Sequence, residues 1–130
     1  MVEALVRRES PTTDKAAVDR CGAVLADYLN DIEADVTLLP QDSVGDHLFA
    51  ALGGGPTQVL LLGHFDTVWP VGQLKRMPLQ RKGHRLFGPG TFDMKGGIAI
   101  GMLAARAMLE VGMPQAARVA MLWTSDEETG

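Results

Sequence analysis

Val59-Leu60-Leu61-Leu62-Gly63-His64-Phe65-Asp66-Thr67-Val68 is the stretch on which the reading of this chain turns. Four large apolar residues run into a glycine; an imidazole and a carboxylate follow, two positions apart. So short an apolar run predicts a strand buried on both faces, as in a parallel sheet. Residues i and i+2 of a strand point the same way. A strand persisting to Asp66 therefore puts His64 and Asp66 on one face at its carboxyl end. In open α/β sheets, ligands bind at that end.

On the amino-terminal side, Ser10-Pro11-Thr12-Thr13-Asp14 forms a turn-and-cap cluster, with Thr13 or Asp14 as N-cap. A helix is expected from Lys15 to Asp31. Ala17, Cys21, Val24, Tyr28 and Ile32 recur on one stripe of it, so Cys21 reads as core. Asp35–Leu39 reads as a strand closed by Pro40, and Asp46–Leu52 as its neighbour. Gly53-Gly54-Gly55-Pro56 is a hairpin or linker, since it lacks the Lys-Ser/Thr ending of a phosphate-binding loop. His47 has no ligand partner nearby in sequence and reads as structural.

On the carboxyl side, a loop is expected from Phe65 to Leu79, then a small hairpin to Phe87 around Lys82-Gly83, with His84 solvated at its turn. Gly88-Pro89-Gly90-Thr91-Phe92-Asp93-Met94-Lys95-Gly96-Gly97 brackets Asp93 and Lys95 with glycines and opens a helix running from Gly97 to Glu110. Gly112 ends that helix and Pro114 bars its continuation. Met102 and Met108 read as packing residues on it. Arg118–Thr124 is a further strand, leading straight into Ser125-Asp126-Glu127-Glu128-Thr129-Gly130. Alternating strands and helices predict a three-layer α/β sandwich with a largely parallel central sheet.

The 130 residues suffice for one modest domain. Twelve basic against 16 acidic residues leave a net charge of −4 with no basic stripe, which argues against a nucleic-acid partner. A single cysteine fits a reducing compartment. No run approaches the ~20 apolar residues that cross a bilayer, and Met1–Glu9 lacks a signal-peptide core. A cytoplasmic setting without membrane contact is the expectation. The chain stops at a polar cluster just past a strand, which reads as truncation.

Three polar clusters thus follow predicted strands or open a helix: His64 with Asp66, Asp93, and Glu127 with Glu128. One imidazole with several carboxylates is a ligand set for Zn²⁺ or a similar ion. Asp66 is placed to accept the other ring N–H of a ligating His64. Of Glu127 and Glu128, one is placed to ligate while the other accepts a proton. Asp126-Glu127-Glu128 after a strand also reads as a solvated loop or the acidic first turn of a helix, and His-x-Asp alone occurs by chance.

Taken together, Gly63–Val68, Gly88–Gly97 and Thr124–Gly130 resemble the three amino-terminal motifs of the M20 metallopeptidases, in order and spacing. His64–Gly72 and Gly88-Pro89-Gly90 are most similar to the glutamate carboxypeptidase group. The resemblance implies a zinc-dependent hydrolase of amide or peptide bonds, releasing a C-terminal amino acid such as glutamate from a small peptide or N-acyl amino acid. It implies two Zn²⁺ ions, with Co²⁺ or Mn²⁺ as substitutes. His64 would ligate one ion, Asp93 would bridge the two, and Glu128 would ligate the second. Asp66 would orient His64, Glu127 would be the general base, and the Asp93–Met94 peptide would be cis. Residues 1–130 would be the amino-terminal portion of a catalytic domain. A further carboxylate ligand, a distant His ligand, and a lid or dimerisation domain would lie beyond Gly130. The fragment alone would be weakly metal-binding and inactive; the complete protein would admit a homodimer. The competing readings are an amino-acid deacylase, deacetylase or desuccinylase of the same superfamily, and a non-catalytic α/β module.

Overall fold

The structure is a computed structural model that describes residues 1–112 and 117–129. Pro114 and Gly130, both used in the sequence reading, lie outside the described residues. Among the described residues, no helix is long and apolar enough to cross a membrane.

Helix α1 (Val2–Arg7) opens the chain and buries Leu5 and Val6. Helix α2 (Lys15–Asp31) starts where the side chain of Asp14 accepts the Ala17 N–H at 2.9 Å, an N-cap of the expected kind. It buries Ala17, Val18, Cys21, Leu25 and Leu29. Strands β1 (Asp35–Leu39), β2 (His47–Gly53) and β3 (Thr57–His64) follow. An exposed hairpin, β4 (Gln80–Lys82) with β5 (Arg85–Phe87), turns at Gly83 and leaves His84 exposed, as expected. Thr91–Lys95 is a kinked turn leading into α3 (Gly96–Glu110), and β6 (Ala117–Thr124) comes last. The Asp93–Met94 peptide bond is cis.

The central sheet has the order β1-β2-β6-β3. Only β3 and β6 are parallel; β1–β2 and β2–β6 are antiparallel. The largely parallel sheet expected from the sequence is therefore mixed. The physical reason is connection length. The short link between β1 and β2 permits only an antiparallel return, whereas β3 reaches β6 through a crossover that contains α3. The glycine run after β2 is a linker, because β6 lies between β2 and β3.

Both long helices pack on one sheet face. Leu48, Ala50 and Leu52 of β2 and Val119, Met121 and Trp123 of β6 form one cluster with Val18, Cys21, Leu25 and Leu29 of α2 and Ile98, Met102 and Ala105 of α3. The described residues thus build two layers of the expected sandwich. Strand β3 is the sheet edge, so Val59, Leu60 and Leu62 are more than half exposed rather than buried on both faces. Its apolar run still does its work on the inner face, where Leu61 packs against the core.

Candidate metal centre

Parallel pairing sets His64 of β3 beside Thr124 of β6, so both strands release their polar residues at one end of the sheet. Strand β3 ends at His64, short of Asp66. Asp66 nonetheless faces the imidazole, with its Oδ1 3.3 Å from His64 Nδ1, a close ionic contact whose angle falls short of a hydrogen bond. The kinked turn before α3 brings Asp93 across, with Oδ1 3.2 Å from His64 Nε2. Two glycines permit this approach. Gly90 sits at φ +65°, and a Cβ there would lie 2.5 Å from Thr67 Cγ2. At Gly63 a Cβ would lie 2.8 Å from the Met94 side chain.

One atom each from His64, Asp93 and Glu128 lie within 4.8 Å of one another, the one such His/Cys/Asp/Glu group among the described residues. His64 is buried, Glu128 half-buried and Asp93 exposed. Glu127 extends into solvent with Oε2 3.9 Å from His64 Nε2. A buried imidazole with two converging carboxylates fits a divalent cation by donor type and spacing.

Asp66 does more than face His64. Fully buried, it accepts hydrogen bonds from Thr12 Oγ1 at 2.7 Å, the Glu127 N–H at 3.3 Å and the Glu128 N–H at 3.2 Å. One carboxylate therefore holds the ligating strand end and the acidic turn Glu127–Thr129 together. Burial pushes its pKa up, but His64, Thr12 and the Glu128 amide outweigh this and leave it below the ordinary 3.8. Asp66, with Asp93 and Glu127 behind it, overcomes the burial of His64 and raises its pKa from 6.5 to about 9. At neutral pH and without a bound metal the ring thus carries both protons, with Nε2 within hydrogen-bond distance of Asp93. Burial and then the Asp93 charge raise Glu128 above its ordinary 4.5.

The sequence reading missed the amino-terminal contribution. Thr12 belongs by sequence to the turn-and-cap cluster, yet its hydroxyl bonds Asp66. Ser10 Oγ donates to the Phe65 carbonyl, and its own carbonyl accepts the Thr67 N–H. Glu9 accepts the Gly72 and Leu74 N–H groups, both at 2.7 Å, which pins the loop after β3. No local pattern signals these pairings, which join residues more than 50 positions apart. His47 is structural in a definite way. Its Nδ1 accepts the Ser125 N–H at 3.2 Å and anchors the start of the acidic turn. Ser125 is fully buried and donates to the Gly45 carbonyl, so Ser125, His47 and Asp126 do not present a nucleophile. A cavity of about 320 Å³ lined by Val68, Trp69, Met77, Phe92, Asp93 and Glu128 opens beside the cluster.

The chain is thus a mixed α/β protein with a His/Asp/Glu group that could hold a metal ion at the ends of its parallel strands. The sequence model of the peptidase family M20/M25/M40 matches residues 60–130, and the chain belongs to this family. Its members depend on metal and hydrolyse amide bonds. The chain is 31% identical to carboxypeptidase G2 of Pseudomonas sp. (strain RS-16), over 99% of this chain and 32% of that protein. It is 36% identical to succinyl-diaminopimelate desuccinylase of Leptothrix cholodnii, over 98% of this chain and 35% of that protein. Human carnosine dipeptidase 1 superposes with a TM-score of 0.83 at 23% identity, over 99% of this chain and 31% of that one. The M20 family metallo-carboxypeptidase of Sulfolobus solfataricus gives 0.82 at 15% identity, over 97% of this chain and 30% of that one. The chain spans about a third of the length of the curated relatives it matches.

Proposed function

We propose that this chain carries the amino-terminal half of the metal site of an amide-bond hydrolase, with zinc as the metal. The convergence of His64, Asp93 and Glu128 is the observation that carries the reading. His64 Nε2, the Asp93 carboxylate and the Glu128 carboxylate would hold the metal, with Asp93 shared between two ions. Bound zinc supplies a Lewis acid that polarises the scissile carbonyl and stabilises the developing negative charge. Asp66 takes the Nδ1–H of His64 and keeps Nε2 aimed at the cluster. Glu127, solvent-exposed beside the ring, takes a proton from the attacking water and returns it to the leaving nitrogen as the C–N bond breaks. The substrate is a small peptide or N-acyl amino acid, and the product a released C-terminal amino acid such as glutamate. The similarity to carboxypeptidase G2 favours this choice.

The similarity to succinyl-diaminopimelate desuccinylase supports a second reading, hydrolysis of an N-succinyl or related N-acyl amino acid. A panel of N-acyl glutamates and N-succinyl amino acids, assayed on the longest protein that contains this chain, separates the two. The 130 residues supply three ligands where the family resemblance implies five, so the chain alone should bind zinc weakly and turn over none of the panel. Two tight zinc sites on the chain alone would contradict this.

A further inference from the structure

The carboxylate of Asp93 is exposed, and its one hydrogen-bond partner among the described residues is His64. Its position therefore depends on the backbone of the turn Thr91–Lys95. That turn is closed on one side by the Lys95 N–H, which donates to the Gly90 carbonyl at 3.0 Å. On the other side stands the Lys95 side chain. It is 1% exposed, and its ammonium donates to the carbonyls of Leu5 at 3.0 Å and Arg8 at 2.9 Å. Both carbonyls belong to the carboxyl end of α1, whose negative dipole end favours a cation; the Leu5 carbonyl also accepts the Arg8 N–H at 3.1 Å. An ammonium is a costly way to fill space, since burial penalises the charge unless directional acceptors compensate it. What it adds over an apolar side chain is a fixed direction.

The segment that receives Lys95 also holds the other half of the site, through Thr12 to Asp66 and Ser10 to Phe65. Residues 1–12 thus connect the strand end bearing His64 to the turn bearing Asp93. They lie outside the 60–130 match to the peptidase family. We propose that Lys95 is a positioning residue: by clamping its turn to the Leu5 and Arg8 carbonyls, it fixes Asp93 against His64 and sets the affinity of the cluster for a divalent cation. The proposal rests on the reading of Asp93 as a ligand.

The test is zinc binding by calorimetry on the 130-residue chain, with circular dichroism to establish the folded fraction. Lys95→Met removes the donors at similar length, and Lys95→Arg keeps a cation with donors. Loss of an outer-sphere partner weakens metal binding by about 10–100-fold. A loss of that size in folded Lys95→Met, largely restored in Lys95→Arg, supports the proposal. Affinity within threefold of wild type in folded Lys95→Met, whatever its thermal midpoint, overturns it. Should Lys95→Met not fold, Lys95→Gln is judged by the same criterion, and failure of both to fold overturns the proposal by giving Lys95 a purely structural role. If the wild-type chain binds zinc and Lys95→Met binds it equally, the Lys95 role alone fails. If the wild-type chain binds no zinc, the ligand reading fails and takes this proposal with it.

Discussion

At the scale of single residues, the site is a balance of charges around His64. Asp66 is buried and meets three donors, so Asp66→Ala leaves the Thr12 hydroxyl and two amide groups unpaired. Each unpaired buried group costs about 1–3 kcal/mol, and the substitution should lower the urea midpoint markedly and weaken zinc binding. A midpoint unchanged from wild type would show that these bonds contribute nothing. Glu127 stands 3.9 Å from His64 but is not itself a proposed ligand. In the active protein Glu127→Ala should retain zinc, measured by metal analysis, while turnover falls by about 10²–10⁴-fold, the range general bases contribute. Comparable turnover would remove Glu127 from that role.

The same balance sets a pH dependence. His64 has a folded pKa of about 9 against an ordinary 6.5, so its stabilising contribution is complete below pH 6.5 and is lost as pH rises through about 9. Asp66 is shifted below 3.8, so its contribution is complete above that value and is lost as pH falls through the lower folded value. With chelator present, urea midpoints at pH 6 and pH 9.5 should differ, the higher pH being less stable. Zinc affinity should move the opposite way, rising over that interval, because the metal must displace the Nε2 proton. Equal midpoints at the two pH values would count against the His64–Asp66 coupling.

At the scale of elements, legibility followed local chemistry. The bounds of α2 were readable because Asp14 caps it and its apolar stripe is regular. The apolar run Val59–Leu62 announced β3, and the glycine-rich segment announced the turn before α3. Helix α1 was missed, since six residues carry too little periodicity to read. The antiparallel pairings were missed because alternation of strands and helices does not by itself fix strand order. Gly90 tests the turn directly. Gly90→Ala forces a side chain into a left-handed conformation and against Thr67, and should cost about 1–3 kcal/mol by urea unfolding. No loss would mean that the turn relaxes freely.

At the scale of the whole molecule, one sheet end collects residues from four parts of the chain. His64, Asp93 and Glu128 were nameable from sequence because each closes or follows a motif with a distinct chemical signature. The parts that hold them in place were not. Thr12, Ser10 and Glu9 act through contacts spanning more than 50 residues, and nothing near them in sequence marks such a contact. The open sheet face bearing Leu60 and Leu62 was equally hidden, because an apolar run does not say which faces have neighbours.

The central claim is that His64, Asp93 and Glu128 form one metal centre. Anomalous diffraction at the zinc edge, from crystals of the chain soaked in Zn²⁺, tests it most directly. The account predicts zinc at this cluster, one ion on His64 Nε2 and the Asp93 carboxylate and a second on the Asp93 and Glu128 carboxylates, at about 2.0–2.2 Å. A peak elsewhere, or none at this cluster at saturating zinc, would contradict it.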